Sequence, residues 1–275
     1  MDYQNWVGKV ETVEDCVTLR QAAQMAALLD RPCTLSHGSP LPVLWHWIAF
    51  QPVAPMAALG PDGHPARGGF LPPVPLERRM WAGGRVAFHQ PLALGVAMQR
   101  RSEIVKVVEK QGAVGALVFV TVHHSIGQSG SDCVSEEQDL VFVAIPPQYS
   151  PPVPIPVPSD VLWRQHQAID AVRLFRFSAI TFNGHRIHYD LEYAQKVEHY
   201  PGLVVHGPYQ ALLLIDAAQR SAGGRVPARY SYRGVRPAFH IDPLQLVGLA
   251  DDGGALTLCT ANPEGLQCMQ AKVEW

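Results

Sequence analysis

The chain carries no excess of either charge: 22 Lys and Arg stand against 24 Asp and Glu, a formal charge of -2 at pH 7. Nucleic acids and anionic membranes are held first by a basic surface, so neither is expected as a partner. No apolar run approaches the roughly 18 to 20 residues that cross a bilayer. The opening MDYQNWVGKVETVED places acids and polar side chains where a signal peptide carries its apolar stretch, and a cytoplasmic protein is expected. Cysteine is scarce and badly spaced for a framework. Cys16, Cys33, Cys133, Cys259 and Cys268 are odd in number and include no CxxC pair, which argues against both a disulfide scaffold and a thiolate zinc site. Charged residues make up only 17%.

Proline and glycine are plentiful, 24 and 23 among 275 residues, which suits strands joined by shaped loops better than a helical bundle. Proline concentrates in IPPQYSPPVPIPVPSD, where missing N–H groups and fixed φ angles exclude helix interiors and central strands. This divides the chain into an N-terminal domain (1–145), a proline-rich linker (146–158) and a C-terminal domain (159–275).

In the second half AVRLFRFSAIT (Ala171 to Thr181) is rich in β-branched and aromatic residues and is expected as a strand. A short helix is expected from Leu191, capped by Asp190 and ending before Pro201. HGPYQALLLIDAAQR, from His206, is apolar on nearly every face and is expected as a helix buried all round. Four strand-like runs follow: ARYSYRGV, PLQLVGLA, GALTLCTA and LQCMQAKVEW. One buried helix wrapped by an antiparallel sheet is the hot-dog arrangement, an α+β fold. The first half shows a looser version of that order. Thr18 and Gln21 are placed to box the start of a helix reaching Leu29, and strand-like runs follow at RVAFHQPLAL, SEIVKVVEK, GALVFVTVHH and DLVFVAIP.

Chemistry concentrates in Thr181-Phe-Asn-Gly-His-Arg-Ile-His-Tyr-Asp190, which sets Asn183, His185, Arg186, His188 and Asp190 in one loop. His185, His188 and Asp190 are a conceivable metal set. Arg186 among them argues against a cation, and no metal is expected. His188 suits general acid–base work, because imidazole gives and takes a proton near neutrality. Downstream, LVVHGP ends at the start of the buried helix, whose first N–H groups lack intrahelical partners, and Gly207 permits close approach to a ligand oxygen.

The spacing Asn183-x-x-x-x-His188, then HYDLEYA and VVHGP at the head of a long apolar helix, resembles the motif of MaoC-type enoyl-CoA hydratases and 3-hydroxyacyl-thioester dehydratases. LGPDGHPARGGFLPPVPLERRMWAGGRVAFHQPL and FRFSAITFNGHRIHYD look like the branch that contains itaconyl-CoA and mesaconyl-C4-CoA hydratases. The resemblance implies a double hot-dog with the hydratase motif in the C-terminal half and a non-catalytic N-terminal half forming a pocket wall. It also implies reversible hydration of a C5-dicarboxyl enoyl-CoA to citramalyl-CoA in itaconate degradation, with no cofactor beyond the CoA of the substrate, in a homo-oligomer built from dimers. His188 and Asn183 would be catalytic, and Gly207 would bind the thioester carbonyl. Asn183 stands where most of the family has Asp. An amide orients water but cannot accept its proton, so Asp190 and Glu192 are candidates for a second base.

A substrate carboxylate calls for an arginine. Arg186, with His185 beside it, is placed first; Arg67 and the pair Arg78 and Arg79 are its competitors. Trp45, His46 and Trp47 read as core or pocket wall, and His123 and His124 as surface residues. Alternatives within the same resemblance are a fatty-acid 3-hydroxyacyl-thioester dehydratase with a long apolar tunnel, a hot-dog thioesterase, and a noncatalytic acyl-CoA-binding module.

Overall fold

The computed structural model describes residues 3–112, 115–250 and 254–275. Its contacts divide the chain into two units: Met1–Met80, Phe88–Ala144 and Arg176–His185 form the first, and Trp81–Ala87, Ile145–Phe175 and Arg186–Trp275 the second. Each unit therefore takes a segment from the opposite half of the sequence, an exchange that a single cut near residue 150 does not describe.

In the first unit, helix α1 (Leu19–Leu28) starts at Thr18, whose hydroxyl accepts from Gln21 N while the Gln21 side chain accepts from Thr18 N, the expected capping box. Ala22, Met25 and Ala26 recur at helical spacing and are buried. Strands β1 (Val10–Asp15), β3 (Met98–Gly112), β4 (Gly115–Gln128) and β5 (Ser131–Val143) pair antiparallel in the order β1-β3-β4-β5. Ser129 and Gly130, both at positive φ, join β4 to β5 with Gln128 opposite Ser131; a two-residue turn of that hand matches the twist of the strands it connects. Along β4 the even positions Val118, Val120, Val122, His124, Ile126 and Gln128 are buried, the period-two pattern of a half-buried strand. Val118, Val120 and Val122 join Tyr3, Val74, Ile104, Val107 and Phe142 in one core. Strand β2 (Arg78–Phe88) contributes residues to both units.

The second unit is organised by α4 (Gly207–Ser221), in which Tyr209 through Ile215, Ala217 and Ala218 are all buried. It packs on β7 (Arg229–Gly234), β8 (Leu244–Ala250), β9 (Leu256–Ala261) and β10 (Gln267–Glu274). Strand order here is β2-β7-β10-β9-β8-β6, with β6 spanning Trp163–Gln167. Two polar bonds tie sheet to helix: the Tyr230 hydroxyl donates to Ala211 O at 2.9 Å, and Thr260 Oγ1 to Gln210 Oε1 at 2.7 Å. This is the expected buried helix in an antiparallel wrap. Among the described residues, no helix is long and apolar enough to cross a membrane.

One local expectation changes. Residues 171–180 form helix α2 (Ala171–Ile180), not a strand. Asp170 caps it by accepting from Arg173 N at 2.8 Å, and the buried Leu174, Phe177 and Ser178 follow helical rather than alternating spacing. Composition favoured a strand, but the cap and the period decide. The proline-rich segment is bonded to the second unit: Val157 N donates to Gly265 O, Gln267 N to Ile155 O, and the Arg236 guanidinium to Pro152 O. Tyr149 packs its ring on Tyr200 and Phe239. Proline's own nitrogens cannot donate, so the strand-like edge is held mostly through its carbonyls.

Leu214 is fully buried in the middle of α4. Leu214→Ala should cost about 2–5 kcal/mol, seen as a lower urea midpoint with an unchanged slope. A cost below about 1 kcal/mol would mean that the wrap around α4 is loose.

Candidate active site

The motif loop begins in the first unit. Asn183 Oδ1 accepts from His185 N at 2.9 Å, which closes a tight Asx turn around Gly184. The same turn occurs at Asp62-Gly63-His64, where His64 N donates to Asp62 Oδ1 at 3.1 Å. The two turns pack directly: a Cβ on Gly184 would lie 2.6 Å from Gly63 O, so that contact requires glycine. The rings of His64 and His185 are 4.3 Å apart, and His185 is buried. Asp62 and His64 were not singled out from the sequence. The signal available was the repeated Asx-Gly-His tripeptide, whose pairing only the folded chain shows.

Within this cluster the His64 ring nitrogen Nδ1 lies 3.0 Å from Asp62 Oδ2. Burial, with the charge of Arg79 added, lowers His64 to about 4 despite Asp62, so the imidazole is neutral at pH 7. Its Nδ1–H then donates to the carboxylate. Asp62 is itself held below its ordinary value: burial pushes it up, but the bonds and charge from His64 and the charge of Arg79 outweigh that. Ligand atoms of Asp62, His64 and His185 all lie within 4.8 Å of one another, a set able to grip a divalent cation. The positive charges of Arg79 and Arg67 act on the same residues and favour an anion there instead. Both oxygens of Asp190 accept hydrogen bonds, one from Arg186 and one from its own helix.

In the second unit, His188 ends a short 3-10 turn (Arg186–His188) and is buried. Its Nδ1 lies 2.7 Å from Val204 O, and Val204 N in turn donates to Ile187 O at 3.0 Å. A carbonyl oxygen only accepts, so Nδ1 carries the proton and Nε2 is the basic nitrogen. The His188 ring stacks on His206 with centroids 3.6 Å apart and planes at 20°. Burial, then the charge of His188, drives His206 well below its ordinary value. His206 is the N-cap of α4 and was missed as a site residue. The first α4 bond runs from Gln210 N to His206 O, so the Gly207 amide lies ahead of the helical ladder at the positive end of the helix. A Cβ on Gly207 would meet the Trp81 ring at 2.7 Å. The glycine is therefore required by packing as well as by any ligand.

Arg186 does not present an uncommitted guanidinium. Its Nε and Nη2 both donate to Asp190 Oδ2, at 3.0 and 2.8 Å, and it lies 4.1 Å over the Tyr193 ring. Asp190 Oδ1 caps α3 (Leu191–Lys196) by accepting from Tyr193 N at 3.0 Å. The cap and Arg186 keep that carboxyl below its ordinary value. Glu192 is exposed and paired with Lys196 at 2.7 Å. Neither acid is arranged as a second base.

The hydroxyacyl-thioester dehydratase type 2 family model matches residues 44–240. The chain belongs to that family. It is an enzyme of the hydro-lyase class, and its fold is a double hot-dog. It is 44% identical to a mesaconyl-C(4)-CoA hydratase of Chloroflexus aurantiacus, over 99% of this chain and 98% of the other. It is 27% identical to the mitochondrial hydroxyacyl-thioester dehydratase type 2 of Schizosaccharomyces pombe, over 74% and 75%. Among solved structures, a MaoC-like dehydratase superposes with a TM-score of 0.73 at 14% identity, covering 99% of both chains. A Mycobacterium tuberculosis protein described as a double hotdog fold gives 0.59 at 13% identity, covering 97% of this chain and 95% of that one. These two likenesses bear on the fold alone.

The first unit of this family member also buries a charged network away from the motif loop. Glu136 receives His46 Nε2 at 3.1 Å, Trp47 Nε1 at 3.0 Å and Gln138 Nε2 at 2.7 Å. Burial raises its pKa, but the His46 bond and charge, with His124 and Trp47, bring it down to about 2. His46 and Trp47 are therefore framework around Glu136, and Trp45 is buried. His124 is buried, not on the surface, and lies 2.9 Å from Ser102 Oγ; burial lowers it to about 4.

His64, His124 and His206 are all held below the ordinary 6.5. Between pH 6.5 and about 4 the unfolded chain binds protons on them that the native chain refuses, so stability falls as pH falls. Glu136, with its native value near 2 against an ordinary 4.5, extends the loss below pH 4.5. Urea midpoints measured from pH 7.5 to 4.5 should decline steadily, and His124→Asn should flatten the slope. A midpoint independent of pH would contradict the buried neutral state of these groups.

Proposed function

We propose that the protein reversibly hydrates C5-dicarboxyl enoyl-CoA thioesters, mesaconyl-C4-CoA and itaconyl-CoA, to citramalyl-CoA in itaconate degradation. The mechanism rests on one observation: the Val204 carbonyl holds His188 in the tautomer whose Nε2 is basic. In this reading, on mesaconyl-C4-CoA, Nε2 takes a proton from water, the hydroxyl adds to the β-carbon, and the imidazolium returns a proton to the α-carbon; itaconyl-CoA enters the same step after a proton leaves its α-carbon and another is added to its terminal methylene, which brings the double bond into conjugation. Charge gathering on the thioester oxygen meets the Gly207 amide at the head of α4. Asn183, whose Oδ1 is spent partly on the turn at His185, orients the water through its amide and takes no proton. The dicarboxyl substrate is supported by the Chloroflexus aurantiacus hydratase, alike over nearly the whole of both chains. The reading needs no cofactor apart from the CoA that the substrate carries, and it includes a cytoplasmic homo-oligomer built from dimers.

The test is a mass-spectrometric assay for gain of one water on mesaconyl-C4-CoA, itaconyl-CoA, crotonyl-CoA and a long-chain enoyl-CoA. The dicarboxyl thioesters should be hydrated far faster than crotonyl-CoA. Preference for the long chain would move the protein to fatty-acid dehydration, and release of free CoA alone would make it a thioesterase. His188→Ala should lower kcat at least about 100-fold, with the thermal midpoint as a folding control. A smaller loss removes His188 from proton transfer.

A further inference from the structure

The residue ahead of a helix is usually Ser, Thr, Asp or Asn, whose short side chain accepts from the first helical amides. His206 holds that place in α4, and its side chain makes no such bond. Its ring is laid instead on the ring of His188, with centroids 3.6 Å apart and planes at 20°. Both histidines are buried, His188 at 7% exposure and His206 at 1%, and both belong to the second unit.

The bond from His188 Nδ1 to Val204 O, 2.7 Å long, fixes one edge of the catalytic ring. It does not fix the plane, because the torsion that turns an imidazole about its Cβ–Cγ bond has broad minima. A second ring lying face to face does, since a turn of His188 would drive its edge into His206. His206 can act as that stop because its backbone is anchored on both sides. Val205 N donates to Ala238 O at 2.8 Å and Gln210 N to His206 O at 3.1 Å, and the Trp81 ring lies against Gly207. Val204 is itself held in the core of Ile187, Tyr193 and Tyr200. Edge and plane together give Nε2 one direction.

Facing imidazoles at this distance repel each other if both carry a proton. Burial, then the charge of His188, holds His206 well below its ordinary value. At pH 7 it therefore presents a neutral π-face, not a second charge, to the imidazolium that forms on His188.

We propose that His206 is a positioning residue for the hydration step: by stacking on His188 it fixes the imidazole plane and so aims Nε2 at the water that adds to the enoyl-CoA. This rests on the hydratase reading above, in which His188 is the acid–base group. The requirement at position 206 is then for a flat ring, not for a capping oxygen or for bulk alone.

His206→Phe, which keeps a flat face that also suits an imidazolium, is compared with His206→Leu and His206→Ala, which have none, on mesaconyl-C4-CoA and crotonyl-CoA. The Leu and Ala variants should lose about 10- to 100-fold in kcat, as expected when a proton-transfer group is misaimed, with little change in KM, and His206→Phe should recover most of the loss. The proton resonances of the His188 ring, assigned by their absence in His188→Ala, report the stack without substrate. The ring current of a stacked neighbour places them upfield in the wild type and in His206→Phe, and they should move downfield in the Leu and Ala variants. Thermal midpoints check folding, and the comparison of Phe with Leu, both large apolar side chains, stands if His206→Ala does not fold. Wild-type kcat in His206→Leu, or equal losses in the Leu and Phe variants, would overturn the proposal. So would a raised KM at unchanged kcat, which would make His206 a substrate-binding group. If the resonances shift as stated yet the wild type hydrates neither thioester, the placement of His188 by His206 stands and the hydratase reading alone fails.

Discussion

A fifteen-residue helix with no polar face has to be enclosed, and the second unit is arranged around that requirement. Four strands cover α4, and the Ala211 carbonyl and the Gln210 side chain accept from Tyr230 and Thr260 of the sheet. Enclosure fixes where the helix begins. His206 and Gly207 stand at its N-terminus, the Trp81 ring fills the space a side chain on Gly207 would need, and the preceding residues Leu203 to Val205 are bonded to Ala238 and His240. The carbonyl of Val204, part of that fixed segment, then sets the His188 tautomer. A chain of rigid placements thus runs from a core-packing demand to the choice of which imidazole nitrogen is basic.

The first unit meets a different demand, the burial of charge. Glu136 is withdrawn from water with donors from His46, Trp47 and Gln138 around it, since an unpaired buried carboxylate would be costly. Asp62 is satisfied by a neighbouring histidine in the same way.

Much of the local structure was legible because it depends on neighbours in the chain. The Thr18–Gln21 box, the Asp190 cap, the proline at the start of α4 and the strand runs after it all formed as their residue types require. The same local logic contained the correction at residues 171–180: Asp170 followed by Leu174, Phe177 and Ser178 is a capped helical pattern, overlooked because its aromatic and branched residues weigh toward a strand. His124 was legible too, by alternation along β4.

What the sequence determined by itself was the helices' ends, the strand runs, the one wholly apolar helix and the loop that gathers Asn183, His185 and His188, because caps, period and turn chemistry act over a few residues. Tertiary structure alone decided which groups in that loop remain available. It spent Arg186 on Asp190 and brought Asp62 and His64 from more than a hundred residues away onto the Asn183 turn. Those outcomes depend on burial and on partners distant in sequence, and a side chain's charge and hydrogen-bonding state are set by what surrounds it after folding, not by its neighbours along the chain.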